Sequence, residues 1–284
     1  MNDKMKNLVV RTISGVALLV VVFGGILWSQ WSLGALLLVM LVGGVLELYR
    51  LIEKQGLQPQ RGLGMIACVV LFALNFALVG DDIQILYGGS KYFAPVLAFF
   101  ALIIPLMFIC ELYRKQANPA ANIATTILPL FYVALPLSLL LYFPVLGGDT
   151  WSWNPWVLIA YIAIVWSNDV FAYLFGIAFG RHRLFERLSP KKSWEGFFGG
   201  LVGAVVAGWV AAHLLEHNAW MWCGLAVVTV VTAVLGDLVE SMFKRAAEVK
   251  DSGALIPGHG GVLDRFDAML LSAPFVFVYM ICIF

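Results

Sequence analysis

Charged residues are scarce in this sequence. Of its 284 residues only 12 % are charged while 62 % are hydrophobic, and the mean hydropathy is +0.91. A water-soluble domain has about a quarter of its residues charged, because its surface must be hydrated. The deficit excludes a soluble globular domain and predicts a surface that faces lipid. The net charge of +1 gives no sign of nucleic-acid binding, and we expect no nucleic-acid partner.

Cysteine is also sparse. Cys68, Cys110, Cys223 and Cys282 lie in apolar runs without short pairing distances, which predicts buried apolar side chains rather than disulfides or a metal site. A cleavable signal peptide is not expected, because the apolar stretch after Arg11 is followed by more apolar runs instead of a cleavage site and a soluble domain.

Long apolar runs are abundant. A helix needs about 20 mainly apolar residues to cross the hydrocarbon core, and backbone exposed to lipid must satisfy its own hydrogen bonds. The sequence therefore predicts an all-α, polytopic integral membrane protein. About nine spans are expected, near 12–29, 32–49, 62–80, 93–111, 122–147, 156–180, 197–214, 219–240 and 267–284.

The positions of the basic residues predict the orientation. With a cytosolic N-terminus, every lysine and arginine except Lys91 falls on the cytosolic side, as the positive-inside rule requires. We expect one integral membrane domain over 1–284, with N-terminal helices to about 150 and a motif-bearing catalytic half at about 156–284. The long loops 181–196 and 241–266 are then cytosolic, so water-facing chemistry is expected there.

Asp169 is the first candidate site residue, because an ionisable group inside a span is costly and usually functional. It follows Ser167 and Asn168, and Tyr173 and Gly176 share its helical face. The alternative is a carboxylate neutralised by hydrogen bonds from a neighbouring helix. Three adjacent polar residues exceed what a packing contact needs, which favours function.

The second candidate is the loop that carries Lys191 and Lys192 between Ser189 and Ser193. Two adjacent lysines at a cytosolic interface commonly bind anionic lipids or fix the topology. The functional interpretation is a cationic clamp for phosphates, with both serines as further donors. The residues of this loop alone leave the two interpretations open.

The third candidate is the stretch 237–267. Helical spacing places Asp237, Glu240, Ser241 and Lys244 on one face. Glycines around a histidine let backbone N–H groups approach phosphates closely, and carboxylates suit Mg²⁺. The mixture favours a polyphosphate site over a solvated loop with random charges. The remaining candidates are Arg245, Lys250, Asp251, Gly258, His259, Gly260, Gly261, Asp264, Arg265 and Asp267.

At these residues the sequence resembles the phosphatidate cytidylyltransferase family, also called CDP-diacylglycerol synthases. The Ser-Asn-Asp run and the Ser-Pro-Lys-Lys-Ser-x-Glu-Gly loop belong to the same pattern, and the motifs cover 166–267. Ser193 stands where many members have Thr, which keeps the hydroxyl. The family's main motif is met by Ser241, Lys244, Arg245, Lys250, Asp251, Pro257, Gly258, His259, Gly260, Gly261, Asp264, Arg265 and Asp267.

The resemblance implies a reaction in which CTP and phosphatidic acid give CDP-diacylglycerol and pyrophosphate. It also implies a homodimer in the cell inner membrane, with a polar cavity open to the cytosol and in contact with membrane lipids. By the family pattern, Asp237 and Asp264 are the expected Mg²⁺ ligands. Asp169 is expected either to hold a second cation, such as K⁺, or to orient a lysine.

This reaction leads us to expect two groups among the remaining candidates. We expect lysines and arginines to bind phosphates, and His259 to form a hydrogen bond with the leaving group. The expected catalytic residues are Asp169, Lys244, Arg245, Lys250, Asp251, His259, Arg265 and Asp267. The expected substrate-binding residues are Ser189, Lys191, Lys192, Ser193, Ser241, Gly258, Gly260 and Gly261.

Two other functions fit parts of the pattern. A CTP-dependent polyprenol kinase shares a membrane site and the nucleotide but transfers the γ-phosphate. A transporter can use an intramembrane carboxylate such as Asp169 as a relay. Transporters often have repeated halves, and no repeat is evident here. The clustering of polar residues at one membrane face also favours the cytidylyltransferase interpretation.

Overall fold

The structure, a computed structural model, describes residues 3–80, 93–146, 153–253 and 260–284. α-Helices dominate these residues. They are α1 (Asp3–Trp28), α2 (Gln30–Lys54), α3 (Arg61–Gly80), α4 (Phe93–Arg114), α5 (Pro119–Pro129), α6 (Leu135–Leu139), α7 (Phe143–Leu146), α8 (Pro155–Phe179), α9 (Trp194–Leu214), α10 (Ala219–Ala246) and α11 (Leu263–Ile283).

The all-α, polytopic membrane class is confirmed. Seven segments among the described residues are long and apolar enough to cross a membrane. Each predicted span falls on helical residues except at some ends: Ser29, Gly180 and Phe284 lie one residue beyond a helix, and residue 147 lies outside the described residues. The number nine and the cytosolic N-terminus stay predictions.

The short break predicted between the first two spans is formed by two serines. Helix α1 ends at Trp28, and Ser29 begins α2 as its N-cap. The Ser29 hydroxyl accepts a hydrogen bond from the Ser32 N–H, while the Ser32 hydroxyl accepts one from the Ser29 N–H. This reciprocal capping satisfies backbone donors that the first turn of a helix leaves unpaired.

The predicted fifth span, 122–147, is helical but irregular. Between α5 and α6 the chain forms a π-helical turn at Leu130–Ala134, and a 3₁₀ turn at Leu140–Tyr142 precedes α7. Proline lacks the backbone N–H that continues an α-helix. Pro129 precedes the π-helical turn and Pro136 follows it, so the changes of helical type lie beside prolines.

The predicted cytosolic loop 181–196 contains the two described strands. Strand β1 (Arg183–Phe185) pairs antiparallel with β2 (Ser189–Ser193), with Arg183 opposite Ser193. The Glu195 carboxylate accepts hydrogen bonds from the N–H groups of Arg181 and His182. The hairpin is therefore anchored where its second strand runs into α9.

The chain divides into two compact units. The first unit comprises Met1–Leu141 and Ala246–Arg265, and the second comprises Tyr142–Arg245 and Phe266–Phe284. The segment 246–265, which carries part of the motif, therefore belongs to the same unit as the N-terminal helices. The other motif residues belong to the second unit. Fully buried side chains include Leu33, Leu41 and Leu48 in the first unit, and Tyr161, Trp222 and Val230 in the second.

Small residues allow close helix packing in the second unit. Gly199 and Gly203 of α9 lie against the rings of Phe175 and Phe171 of α8, and Gly200 faces Asn168. Such glycine faces let membrane helices approach closely. The packing fixes α8, which carries Asp169, against the helix that follows Lys192.

Helices α10 and α11 also meet closely in the second unit. A Cβ added to Gly236 would lie 2.6 Å from the Asp267 carbonyl oxygen and 3.1 Å from the Leu271 Cβ. The Tyr279 hydroxyl donates a hydrogen bond of 3.0 Å to the Met221 carbonyl at the other end of the pair. The two helices are therefore in contact next to Asp237.

Candidate active site

Three carboxylates of the second unit come together where α10 and α11 meet. One carboxylate oxygen from each of Asp237, Glu240 and Asp267 lies within 4.8 Å of the others. Glu240 is buried, while Asp237 and Asp267 are half-buried. The absence of a side chain at Gly236 permits this approach, because a Cβ there would collide with the Asp267 backbone.

Two lysines face these carboxylates. The Lys192 ammonium, on β2, forms an ion pair with Oδ2 of Asp237. The Lys244 ammonium lies 2.5 Å from Oε2 of Glu240, one turn earlier on α10. Buried charges need such partners, because desolvation of an isolated charge is costly. The ion pairs therefore make a high local density of charge compatible with a helical membrane protein.

Asp169 lies close to the same group. It interacts electrostatically with Lys192 and Asp237, and the Asn168 amide lies 3.4 Å from its Oδ1. The side chain of Asp169 is exposed. We name Asp169, Lys192, Asp237, Glu240, Lys244 and Asp267 together the carboxylate–lysine cluster.

The donor set of this cluster fits a hard divalent cation. Carboxylate oxygens are the ligands that Mg²⁺ prefers, and Mg²⁺ sites use one or two carboxylates and complete the coordination with substrate phosphates and water. One carboxylate oxygen of Asp237 lies within 4.8 Å of one of Asp267. Two carboxylates this close repel unless a proton or a cation reduces their charge.

Asp264 lies in the first unit, at the second residue of α11. Its Oδ2 accepts hydrogen bonds from the Ser252 N–H at 2.9 Å, the Ser252 hydroxyl at 2.9 Å and the Gly261 N–H at 2.8 Å. Gly260 has a positive φ of 85°, and a Cβ there would lie 2.8 Å from this oxygen. Glycine is required at 260 for both reasons.

Glu47 of α2 contacts the same segment of the first unit and is 2 % exposed. Its Oε1 accepts a hydrogen bond from the Val262 N–H at 3.0 Å, and its Oε2 accepts one from the Leu263 N–H at 3.0 Å. The Ser252 hydroxyl lies 3.1 Å from Oε2. Glu47 therefore caps the start of α11 from a different helix.

The remaining loop candidates are placed as follows. The Ser193 hydroxyl accepts a hydrogen bond from the Gly196 N–H and caps α9, while Ser189 pairs with Phe185 in the hairpin. Gly261 is buried against Glu47 and Ser252. Ser241 is buried, Lys191, Arg245, Lys250, Asp251 and Arg265 are exposed, and Gly258 and His259 lie outside the described residues.

Sequence reasoning thus anticipated most of the cluster and missed part of the network around Asp264. Asp237, Lys244 and Asp267 were candidates, and Glu240 was placed on the same helical face. Glu47 and Ser252 were not candidates. A signal for Glu47 existed, since it is an ionisable residue inside the predicted span 32–49.

The helices and the cluster define a class of protein: a multi-pass membrane protein with a polar site of carboxylates and lysines. Comparison with known proteins specifies it further. A model of the cytidylyltransferase family matches residues 9–283. The chain belongs to the cytidylyltransferase family.

Individual relatives agree with this membership. A phosphatidate cytidylyltransferase of Synechocystis sp. is 31 % identical over 297 residues, which cover 95 % of this chain and 96 % of the relative. One of Haemophilus influenzae is 48 % identical over 125 residues, covering 42 % of this chain and 43 % of the relative. One of Staphylococcus saprophyticus is 41 % identical over 129 residues, covering 44 % and 49 %.

Proposed function

We propose that this chain is a phosphatidate cytidylyltransferase, an integral membrane enzyme of phospholipid biosynthesis. It joins CTP to phosphatidic acid and forms CDP-diacylglycerol and pyrophosphate. Family membership and a relative of that name aligned over 96 % of its length support this activity. The observation that carries the proposal is the carboxylate–lysine cluster, because paired lysines and carboxylates suit phosphate groups and a cation in one place.

The reaction needs positioning and charge neutralisation more than a strong base. The nucleophile is a phosphate oxygen of phosphatidic acid, which is already ionised near neutral pH, and it attacks the α-phosphorus of CTP. The bond from that phosphorus to the β-phosphate oxygen breaks, and the electron pair leaves with pyrophosphate. Phosphoryl transfer of this kind depends mainly on alignment and electrostatic stabilisation.

The lysines of the cluster are suited to that role. Lys192 and Lys244 each pair with a carboxylate. A phosphate group that approaches can share or replace the carboxylate as partner of either ammonium, which holds the two anionic substrates near one another. Lys192 lies on the hairpin that leads into α9. Because of this position, we assign it to binding the lipid phosphate.

The cluster carboxylates also fit Mg²⁺, and we assign Asp237 as a ligand together with Asp267 and Glu240. Bound there, Mg²⁺ would neutralise phosphate charge as pyrophosphate departs. Asp264, the second ligand expected from the family pattern, stays a prediction. Asp169, which interacts with Lys192 and Asp237, is assigned to orienting that lysine or to a second cation such as K⁺.

The location and assembly of the enzyme are part of the proposal. We place the chain in the cell inner membrane with the cluster facing the cytosol, where CTP is found. The cytosolic placement of all basic residues but Lys91 supports this orientation. A homodimer is proposed from the family resemblance.

Labelled CTP tests the activity and separates it from its alternatives. With purified protein in detergent, phosphatidic acid and Mg²⁺, CTP labelled at the α-phosphate should give a labelled lipid, and CTP labelled at the γ-phosphate should give labelled pyrophosphate. Removal of Mg²⁺ with EDTA should stop the formation of both labelled products. In a parallel reaction with a polyprenol as the lipid, label passing from the γ-position to that lipid would instead identify a kinase. If neither labelled form of CTP gave a labelled lipid, enzymatic transfer to a lipid would be contradicted.

A further inference from the structure

The buried carboxylate of Glu47 has no place in the reaction described above, yet it is held by an unusual set of donors. Its oxygens accept hydrogen bonds from two backbone N–H groups at the start of α11 and lie 3.1 Å from the Ser252 hydroxyl. A buried carboxylate inside a membrane helix is costly. The residues around Glu47 must therefore supply hydrogen-bond donors to its carboxylate.

Glycines form part of those surroundings. A Cβ added to Gly253 would lie 2.5 Å from Oε1 of Glu47, and one added to Gly261 would collide with Oε2. Gly253 and Gly261 can lie this close to the Glu47 carboxylate because they lack side chains. The contact is thus specified from both sides, by the acid on α2 and by these two glycines.

Ser252 connects Glu47 to Asp264. Its hydroxyl oxygen lies 3.1 Å from Oε2 of Glu47 and 2.9 Å from Oδ2 of Asp264. A hydroxyl has one proton to donate, so the two carboxylates share that donor. Because the Ser252 N–H also donates to Asp264, a displacement of Ser252 would remove two of the hydrogen bonds that Oδ2 accepts.

We propose that Glu47 is a positioning residue for the reaction: it holds Ser252 and the residues at the start of α11 in place and, through them, fixes the direction of the Asp264 carboxylate. The catalytic part of this inference rests on the proposed function and on the expected role of Asp264. The structural part does not, because it concerns only hydrogen bonds within the first unit.

Glu47→Gln is the direct test. The amide retains one acceptor oxygen, but its NH₂ group must face an N–H or hydroxyl donor, so at least one hydrogen bond is lost. We expect amide hydrogen exchange at residues 260–265 to become at least tenfold faster. We also expect kcat to fall at least tenfold and the Mg²⁺ concentration for half-maximal rate to rise at least fivefold.

Glu111→Gln is the matched control. Glu111 of α4 is also a buried carboxylate of the first unit, and it accepts hydrogen bonds from Gln60, Arg114 and Asn122. Its replacement should lower thermal stability but leave both the exchange at 260–265 and the Mg²⁺ requirement unchanged. A shift of the same size in the control would assign the Glu47 effect to general destabilisation and overturn the proposal.

Ser252→Ala gives an independent measurement if Glu47→Gln does not fold. It removes the shared donor and keeps both backbone hydrogen bonds to Glu47, so kcat should fall about three- to tenfold and the Mg²⁺ requirement should rise. An unchanged exchange rate in Glu47→Gln, or an unchanged kcat and Mg²⁺ requirement in Ser252→Ala, would overturn the proposal. If the wild-type chain formed no CDP-lipid, the proposed function would fall, whereas the exchange comparison would still decide whether Glu47 orders residues 260–265.

Discussion

Two groups of carboxylates, one in each unit of the molecule, are held in opposite ways. In the first unit, Glu47 and Asp264 are satisfied by backbone N–H groups and one serine hydroxyl. In the second, Asp237 and Glu240 face the ammonium groups of lysines. Neutral donors on the backbone fix a carboxylate in one direction, since they move only with the chain.

A lysine on a flexible stem is a different kind of partner. It can turn toward another anion, and a cation can replace it beside the carboxylate. From this difference we expect Glu47 and Asp264 to order the backbone, and the acids of the carboxylate–lysine cluster to exchange charge with substrates. Substitutions of these two kinds of carboxylate site should therefore have effects of different size and on different properties of the protein.

Asp237→Asn should have the largest effect. It removes one charge from the three-carboxylate group and the ion pair with Lys192. Loss of an oriented transition-state contact typically lowers the rate by about 10²–10³, so CDP-lipid formation should fall at least that far at ordinary Mg²⁺ while the protein still inserts and folds. A variant with near-normal turnover would remove the metal assignment of Asp237.

Lys192→Gln should have the next largest effect. It removes the cation that faces Asp237 and interacts with Asp169, and loss of a hydrogen bond to a charged group costs about 1.5–3 kcal/mol. The kcat/KM for phosphatidic acid should therefore fall about 10- to 150-fold. Lys54→Gln, at the exposed end of α2, is the control and should leave kcat/KM unchanged. Equal kinetics for both variants would argue against a phosphate-binding role for Lys192.

Gly236→Ala should have a smaller effect, mainly on stability. The added methyl group would lie 2.6 Å from the Asp267 carbonyl oxygen, and overpacking typically costs about 1–3 kcal/mol. We expect a lower midpoint of thermal unfolding and a several-fold loss of rate as α10 and α11 separate. Gly24→Ala, which meets nothing within 4 Å, should not lower the midpoint, and an equal loss in both would contradict the packing explanation.

Glu111→Gln should have the smallest effect on the rate. Its carboxylate is held by an arginine and two amide side chains, so it orders the first unit through other partners than the Ser252, Val262 and Leu263 groups around Glu47. Thermal stability should fall by about 1–3 kcal/mol, the cost of disturbing a buried hydrogen bond, while kcat stays within twofold of the wild-type value. A large loss of kcat would mean that the first unit acts on catalysis through more than Glu47.

Much of the fold could be predicted because it depends on local composition. Apolar runs place the helices, and even the two-serine break at Ser29 and Ser32 was identified as the boundary of two spans. The hairpin at 183–193 was predicted as a loop, since its strands are short and rich in charged residues and carry no alternating apolar pattern. Its pairing depends on the anchoring of Glu195 to the backbone of Arg181 and His182.

The candidate site was predictable in its helical part and not in its long-range part. Helical spacing places Asp237, Glu240 and Lys244 on one face, and the structure brings them together. The pairing of Lys192 with Asp237 and the contacts of Glu47 join residues far apart in sequence. Glu47 and Leu263, for example, are separated by 216 positions. No periodic pattern links such residues, so only the folded chain shows that they are partners.

The separation between Glu47 and its donors has a consequence for biogenesis. Helix α2 is synthesised long before Val262 and Leu263, and at about 5–20 residues per second the delay is roughly 10 to 40 s. Throughout that interval the acid enters the bilayer region without the backbone groups that later bind it. Until translation is nearly complete, this carboxylate must be hydrated at the headgroup level or sheltered by the insertion machinery.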